Sequence, residues 1–142
     1  MSKAEKSKTT GYLLWQANIL WQREMKTALK TVDLTPVQFF LLEAVSESVS
    51  DGKNLSQARL AQQAGIDVMM ASKVLRTLVT KKFVVRKQQK NDSRSLSLSL
   101  SAEGSKLLGK ARQMVEKCDD AFFSKLISKR SKFEKNLQGL VS

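Results

Sequence analysis

Along this chain the spacing of apolar residues follows a helical period as far as Leu78, changes to strict alternation, and returns to the helical period after Leu100. From Gly11 to Val32 one stripe, Leu14, Ala17, Trp21, Met25, Ala28 and Val32, is joined by a second apolar set, Tyr12, Trp15, Ile19 and Leu20. A helix that is apolar around most of its girth needs cover on more than one side, and in a chain this small the second cover is expected from another subunit. The next helix opens with three agreeing signals: Thr35 as N-cap, Pro36 at the first helical position, and Gln38 closing a capping box. Leu34 and Phe39 are spaced to close a hydrophobic staple over it. Its apolar residues Phe39, Phe40, Leu41, Leu42, Ala44 and Val45 predict the central beam of the fold. The turn Asp51-Gly52-Lys53-Asn54 ends this section and leaves room for a short extra strand near Lys53 to Leu55.

Two short helices then meet at a tight turn. The first, Ser56 to Ala64, has Ser56 as N-cap and Leu60, Ala61 and Ala64 as its inward edge. Gly65 ends it, because the residue just past a helix often takes a left-handed conformation that a β-carbon penalises. Asp67 caps the second helix, which runs to Lys81 and turns Ala71, Val74, Leu75 and Leu78 inward. Val68, Met69, Met70, Ser72, Lys73, Arg76, Thr77 and Thr80 are left for solvent or a groove. Beyond it, Leu96, Leu98 and Leu100 alternate with Ser95, Ser97 and Ser99, the pattern of a half-buried strand. Its partner is Phe83 to Gln88, and the intervening Gln89-Lys90-Asn91-Asp92-Ser93-Arg94 has hairpin-tip chemistry. Two short helices followed by a basic hairpin describe a winged helix-turn-helix, which points to duplex DNA.

A helix of about seven turns is expected from Ser101 to about Ile127, too long to be covered by so small a domain. Ser131-Lys132-Phe133-Glu134 reads as a second capping box, opening a last helix with Phe133, Leu137 and Leu140 on one face. The element order is thus α-α-α-α-β-β-α-α. The fold class is mainly α with a small β-hairpin wing, in one domain.

At this point the chain resembles the MarR family of winged helix-turn-helix transcriptional regulators. The resemblance rests on Leu55-Ser56-Gln57, Leu60-Ala61, Gly65-Ile66-Asp67, the wing-tip Asp92-Ser93-Arg94, and Leu100-Ser101-Ala102-Glu103-Gly104 at the start of the long helix. It covers nearly the whole chain, and the order and spacing of these pieces are more specific than any one of them. It implies a homodimer built from helices 11–32 and 101–142 and a DNA-binding lobe over 35–100; residues 1–10, rich in Lys, Ser and Thr with almost no apolar surface, read from composition as a basic mobile tail. The resemblance also implies that Arg94 enters a minor groove while the helix from Asp67 to Lys81 reads the major groove. Asp92 would then orient an arginine; taken alone, Asp92-x-Arg94 is an ordinary polar hairpin turn. Two positions depart from the family. Lys82 stands where a glycine usually precedes the first wing strand, so the helix should end on another residue or by a different stop. Met69-Met70 replace the usual Ser, Thr or Pro. Facing the groove, methionines meet thymine methyls and make no bidentate base hydrogen bond, which favours an AT-rich operator. The other reading puts one of them under the wing as core filler.

Charge agrees with this direction. The 142 residues carry a formal net charge of +12, and from Lys81 to Arg94 six cations (Lys81, Lys82, Arg86, Lys87, Lys90, Arg94) face one anion, Asp92. A surface this basic attracts polyphosphate by counterion release. No apolar run nears the ~20 residues a bilayer span needs and no secretory leader is evident, so a cytoplasmic protein without membrane contact is expected. The single cysteine, Cys118, excludes an intramolecular disulfide, and the lack of histidine removes the commonest metal ligand and general base. Cys118 falls in phase with Ala111, Val115 and Phe122 and reads as a small buried hydrophobe. No cofactor is expected. Glu43, Glu47, Asp51, Glu103, Glu116, Asp119 and Asp120 show no paired constellation, which argues against an enzyme.

The resulting expectation is a homodimeric, sequence-specific regulator, most often a repressor in this family, on a pseudo-palindromic operator with half-sites about 10 base pairs apart. Phosphate contacts are expected from Ser56, Gln57, Lys73, Arg76 and the wing residues Lys87 and Lys90, and base readout from Met69, Met70, Ser72, Lys73 and Thr77, with Val68 beside them. The competing reading is a nonspecific basic architectural protein, which sequence preference at physiological salt separates. The resemblance also implies a small aromatic or anionic ligand in a crevice near Trp15, Ile19, Trp21, Phe39 and Phe40, residues that packing alone would also explain.

Overall fold

A computed structural model describes residues 8–50, 55–88 and 95–142. The chain runs α1 (Thr10–Leu29), a 3-10 turn (Lys30–Val32), α2 (Pro36–Ser50), β1 (Leu55–Ser56), α3 (Gln57–Ala64), α4 (Val68–Thr80), β2 (Val84–Gln88), β3 (Ser95–Leu100), α5 (Ala102–Phe122), a 3-10 segment (Phe123–Lys129) and α6 (Arg130–Val141). Residues 1–7 of the basic tail, the turn at 51–54 and the hairpin tip at 89–94 lie outside the described residues. Of the expected tail, Thr9 caps α1 by accepting the Tyr12 N–H at 3.1 Å, so the helix already begins at Thr10.

The α2 beam forms as its sequence signals require. Gln38 N–H donates to Thr35 Oγ1 at 3.1 Å and Thr35 N–H to Gln38 Oε1 at 3.0 Å, a reciprocal capping box. Leu34 and Phe39, on either side of that cap, are both buried. From there Leu41, Leu42, Ala44 and Val45 carry the core, and α2 packs against α3, α4, β3 and α5. Leu60, Leu75, Leu78 and Leu108 complete a cluster from which water is excluded. The second half of α1 reaches it, through buried Met25 and Leu29 and half-buried Trp21. Leu14 and Ala17, which the stripe placed inward, are exposed together with Tyr12, Leu13, Trp15, Ile19 and Leu20, because among the described residues no element packs closely over the leading half of α1.

The sheet has the order β1-β3-β2, with β1 supplying the short extra strand. Val84 pairs with Leu100, Arg86 with Leu98 and Lys87 with Ser97. This register sends Val84 and Leu98 into the core and leaves Val85, Lys87 and Ser99 on the outer face.

The junction from α4 through the wing to α5 corrects the expectation for Lys82. No other residue ends α4: Lys82 itself takes the left-handed conformation, φ 67°, with its N–H on Val79 O and the Phe83 N–H on Leu78 O. The strain is held by the residues that connect β3 to α5. Ser101 Oγ donates to Lys82 O at 2.6 Å, Ser101 N–H donates to Phe83 O at 3.0 Å, and the same hydroxyl accepts the Gly104 N–H at 2.9 Å as N-cap of α5. Gly104 is there because nothing larger fits: a β-carbon would lie 2.0 Å from Phe83 O. Thus the Leu-Ser-x-x-Gly spacing stitches the base of the wing to the long helix.

Two expectations for the C-terminal third are overturned. The long helix stops at Phe122 instead of continuing to Ile127; a 3-10 segment comes next, and Ile127, at φ 52° and ψ −114°, breaks the helical path. Phe122 and Phe123 stack edge to face, 5.0 Å between centroids, and Phe123 packs on Phe133, which folds α6 back at this point. The Ser131-Glu134 capping box does not form. α6 begins at Arg130 with no side-chain cap, and Glu134 is held instead by Arg130 Nε at 3.2 Å, one turn earlier.

Candidate nucleic-acid interface

The turn between α3 and α4 is built from local capping. Ser56 Oγ accepts the Arg59 N–H at 3.1 Å, Gly65 takes φ 71° with its N–H on the carbonyls of Ala61 and Gln62, and Asp67 Oδ1 accepts the Met70 N–H at 2.8 Å. These caps set the angle between the helices. Ala71, Leu75 and Leu78 are buried, with Val74 half-buried behind them, so α4 is anchored along one face and open along the other. On the open face Met69 is 84% exposed, and Val68 and Met70 are each 45% exposed. Neither methionine is core filler. Lys73 and Arg76 are exposed one and two turns further on, and Ser72 and Thr77 are half-buried beside them. Thr77 Oγ1 donates to Lys73 O at 3.2 Å, so its proton is spent on the helix backbone and only acceptor capacity faces outward.

Around this helix the structure gathers further polar and cationic groups. Ser56 is exposed and Gln57 half-buried at the start of α3; Lys81, Lys82, Arg86 and Lys87 are exposed on the approach to the wing. Lys90, Asp92 and Arg94 lie outside the described residues. Among the described residues, the ion pairs are Arg112 with Glu43 and Arg130 with Asp120 and Glu134, so the cations of α3, α4 and β2 are not drawn into them. Arg59, in the first turn of α3 close in sequence to Ser56 and Gln57, is exposed as well. Charge counted along the hairpin alone does not find it.

The residues expected to line a crevice are spread across the base of the lobe. Phe39 is buried, Phe40 stands 5.4 Å from it and 6.2 Å from Trp21, and Ile19 and Trp15 are exposed further up α1. Trp21 Nε1 donates to Asp119 Oδ1 at 2.8 Å, tying α1 to α5, and the pair lines a cavity of about 360 Å³ with Leu14, Phe122, Arg130 and Phe133. Cys118, next to that pair, is half-buried, and its pKa is raised by burial first, then by the charges of Asp119 and Glu24. Such a thiol is held neutral. Among the described residues there is no cluster of His, Cys, Asp or Glu that could hold a metal ion, and no helix is long and apolar enough to cross a membrane.

A capped pair of helices, the second open along one face beside a basic antiparallel hairpin, defines a winged helix-turn-helix protein. Comparison with known proteins places it further. Residues 34–96 match the MarR family profile. The uncharacterized HTH-type transcriptional regulator YdcH of Bacillus subtilis is 40% identical over 131 residues, covering 92% of this chain and 88% of YdcH. The HTH-type transcriptional repressor Rv2887 of Mycobacterium tuberculosis is 30% identical over 133 residues, 93% of each chain. The crystal structure of Rv2887 with salicylic acid superposes with a TM-score of 0.77 at 29% identity, over 94% of this chain and 97% of that one. Rv2887 with DNA gives 0.75 at 26% identity, over 96% and 100%. The chain belongs to the MarR family of winged helix-turn-helix transcriptional regulators, a family of regulators and not of enzymes.

Proposed function

We propose that the protein is a homodimeric repressor that binds a pseudo-palindromic operator in duplex DNA. The observation that carries this reading is the open face of α4, where Met69, Lys73 and Arg76 stand exposed in a row while Ala71, Leu75 and Leu78 hold the helix rigidly to the core. In this reading α4 lies in the major groove and contacts bases through Val68, Met69, Met70, Ser72, Lys73 and Thr77. Phosphates are held by Ser56, Gln57, Lys73, Arg76, Lys87 and Lys90, and Arg94, positioned by Asp92, enters the adjacent minor groove. Residues 35–100 form the reading lobe. The helices of 11–32 and 101–142 form the dimer module, in which a second copy covers the exposed leading half of α1. Two-fold symmetry then sets the half-sites about one helical turn, ~10 base pairs, apart. A small aromatic acid bound in the crevice near Trp15, Ile19, Trp21 and Phe40, with Phe39 behind them, releases the operator by favouring a dimer whose recognition helices are misspaced. The crystal structures of Rv2887 with DNA and with salicylic acid support both halves of this reading.

Selection of duplexes from a random pool at physiological salt tests it. An inverted repeat with half-sites one turn apart is the expected result, and salicylate should lower affinity for it. A pool with no enriched motif overturns the sequence-reading role and points to nonspecific binding. Mass by light scattering should give a dimer at micromolar concentration; a stable monomer removes the half-site argument.

A further inference from the structure

We infer that α4 selects its operator by the methyl group at C5 of a pyrimidine, read by Val68, Met69 and Met70, an inference that rests on the DNA-reading role proposed above. The first turn of α4 carries three consecutive apolar side chains, and all three are exposed, Met69 the most. None is needed by the core, whose share of α4 is supplied by Ala71, Leu75 and Leu78. The one strong polar device at this end, the Asp67 carboxylate, is engaged by the Met70 N–H. Val68, Met69 and Met70 themselves offer a groove no side-chain donor and only the weak thioether acceptor of methionine. Four and seven residues further on, at helical spacing from Met69, stand Lys73 and Arg76. The face is thus graded: an apolar tip followed by cations, the order required if the tip meets bases and the cations meet the flanking phosphates.

The major groove presents one apolar group to such a tip, the C5-methyl of thymine; cytosine shows a bare C5 edge unless it is itself methylated. Methionine suits this contact because its unbranched, polarizable chain adapts to an irregular surface. The shared chemistry is a 5-methylpyrimidine, available in DNA from thymine or from 5-methylcytosine. Positions contacted by Val68, Met69 and Met70 are read by apolar contact, and Lys73 adds charge without methyl discrimination.

The test uses the full-length protein and the operator recovered from the random pool, with affinity read by fluorescence anisotropy at fixed salt. Each thymine is replaced in turn by deoxyuridine, which removes the methyl and leaves the pairing edge unchanged. At a contacted position the replacement should weaken binding about fourfold in one half-site and about fifteenfold in both, the effect of exposing roughly one buried methyl group per half-site. Met69→Ala, at an exposed position, should keep the melting temperature, weaken the thymine duplex by a similar factor, and lose the distinction between thymine and uracil. Lys73→Ala should weaken both duplexes and keep the distinction. A second arm places cytosine or 5-methylcytosine at the same position. Tighter binding of the methylated duplex shows that either source is read, and equal binding restricts the reader to thymine. If the operator is bound tightly while every uracil replacement stays within twofold, methyl reading is overturned and DNA reading stands. If the pool yields no operator, both fall.

Discussion

Gly104→Ala is the substitution whose outcome the structure dictates most directly. A β-carbon added there would lie 2.0 Å from Phe83 O, 2.9 Å from its carbonyl carbon and 3.2 Å from its Cα, all backbone atoms that cannot rotate away. An ordinary carbon-to-oxygen approach is about 3.3 Å or more, so α5 and the base of β2 must separate by more than about 1 Å. That movement loosens the two hydrogen bonds from Ser101 to Lys82 O and Phe83 O, worth about 1 kcal/mol each. Residual crowding adds about 1–3 kcal/mol, and the better helix propensity of alanine returns up to about 1 kcal/mol. The net expectation is a loss of about 2–4 kcal/mol. Gly109→Ala, in the same helix with nothing within 4 Å of the added carbon, should instead gain about 0.5–1 kcal/mol. Urea unfolding followed by circular dichroism, at one protein concentration for all variants, measures both. A Gly104→Ala midpoint equal to or above that of the parent, or a shift of both variants in the same direction, refutes the close approach.

Lys82→Gly should raise stability by about 0.5–1 kcal/mol, since relief of the left-handed strain at φ 67° exceeds the entropy glycine adds to the unfolded chain; a lowered urea midpoint contradicts this. Trp21→Phe removes the donor that ties α1 to Asp119 and should cost about 1 kcal/mol, whereas Asp119→Asn keeps an acceptor and should cost less; the same melts compare them, and the reverse ranking counts against the tie. Cys118 should alkylate more slowly than a free thiol at about pH 8.5, because burial and the charges of Asp119 and Glu24 favour its neutral form. The stability linked to that raised pKa is complete below the ordinary thiol range and lost as pH rises through it, and alkylation as fast as a free thiol contradicts both statements. Arg94→Ala should weaken operator binding with the melting temperature unchanged, and equal affinity at physiological salt removes the wing tip from the mechanism.

Much of the reading head was legible in the residue order because its determinants act within four positions. Ser56, Gly65, Asp67 and the Thr35-Gln38 box are short-range devices, and each does in the structure what its chemistry predicts. The inward face of α4 came from helical spacing and the two faces of the hairpin from alternation, so the surface left over on α4 was known before any packing was seen. The same locality explains the failures. Ser131 and Glu134 have the spacing of a capping box, but Arg130, itself drawn to Asp120 on α5, captures Glu134 and the helix starts elsewhere. The long apolar phase after Ser101 continues past Phe122, but the packing of Phe122, Phe123 and Phe133 breaks the helix there. Residue order alone was enough to place most helix starts, to assign their apolar faces, and to make the chain a winged helix-turn-helix. It took the packed molecule to show that Lys82 bears a left-handed conformation, that Gly104 must be glycine, and that half of α1 is left exposed among the described residues. Those outcomes depend on contacts between residues about twenty or more positions apart, such as Ser101 on Lys82 and Gly104 on Phe83, whose energies no local pattern encodes.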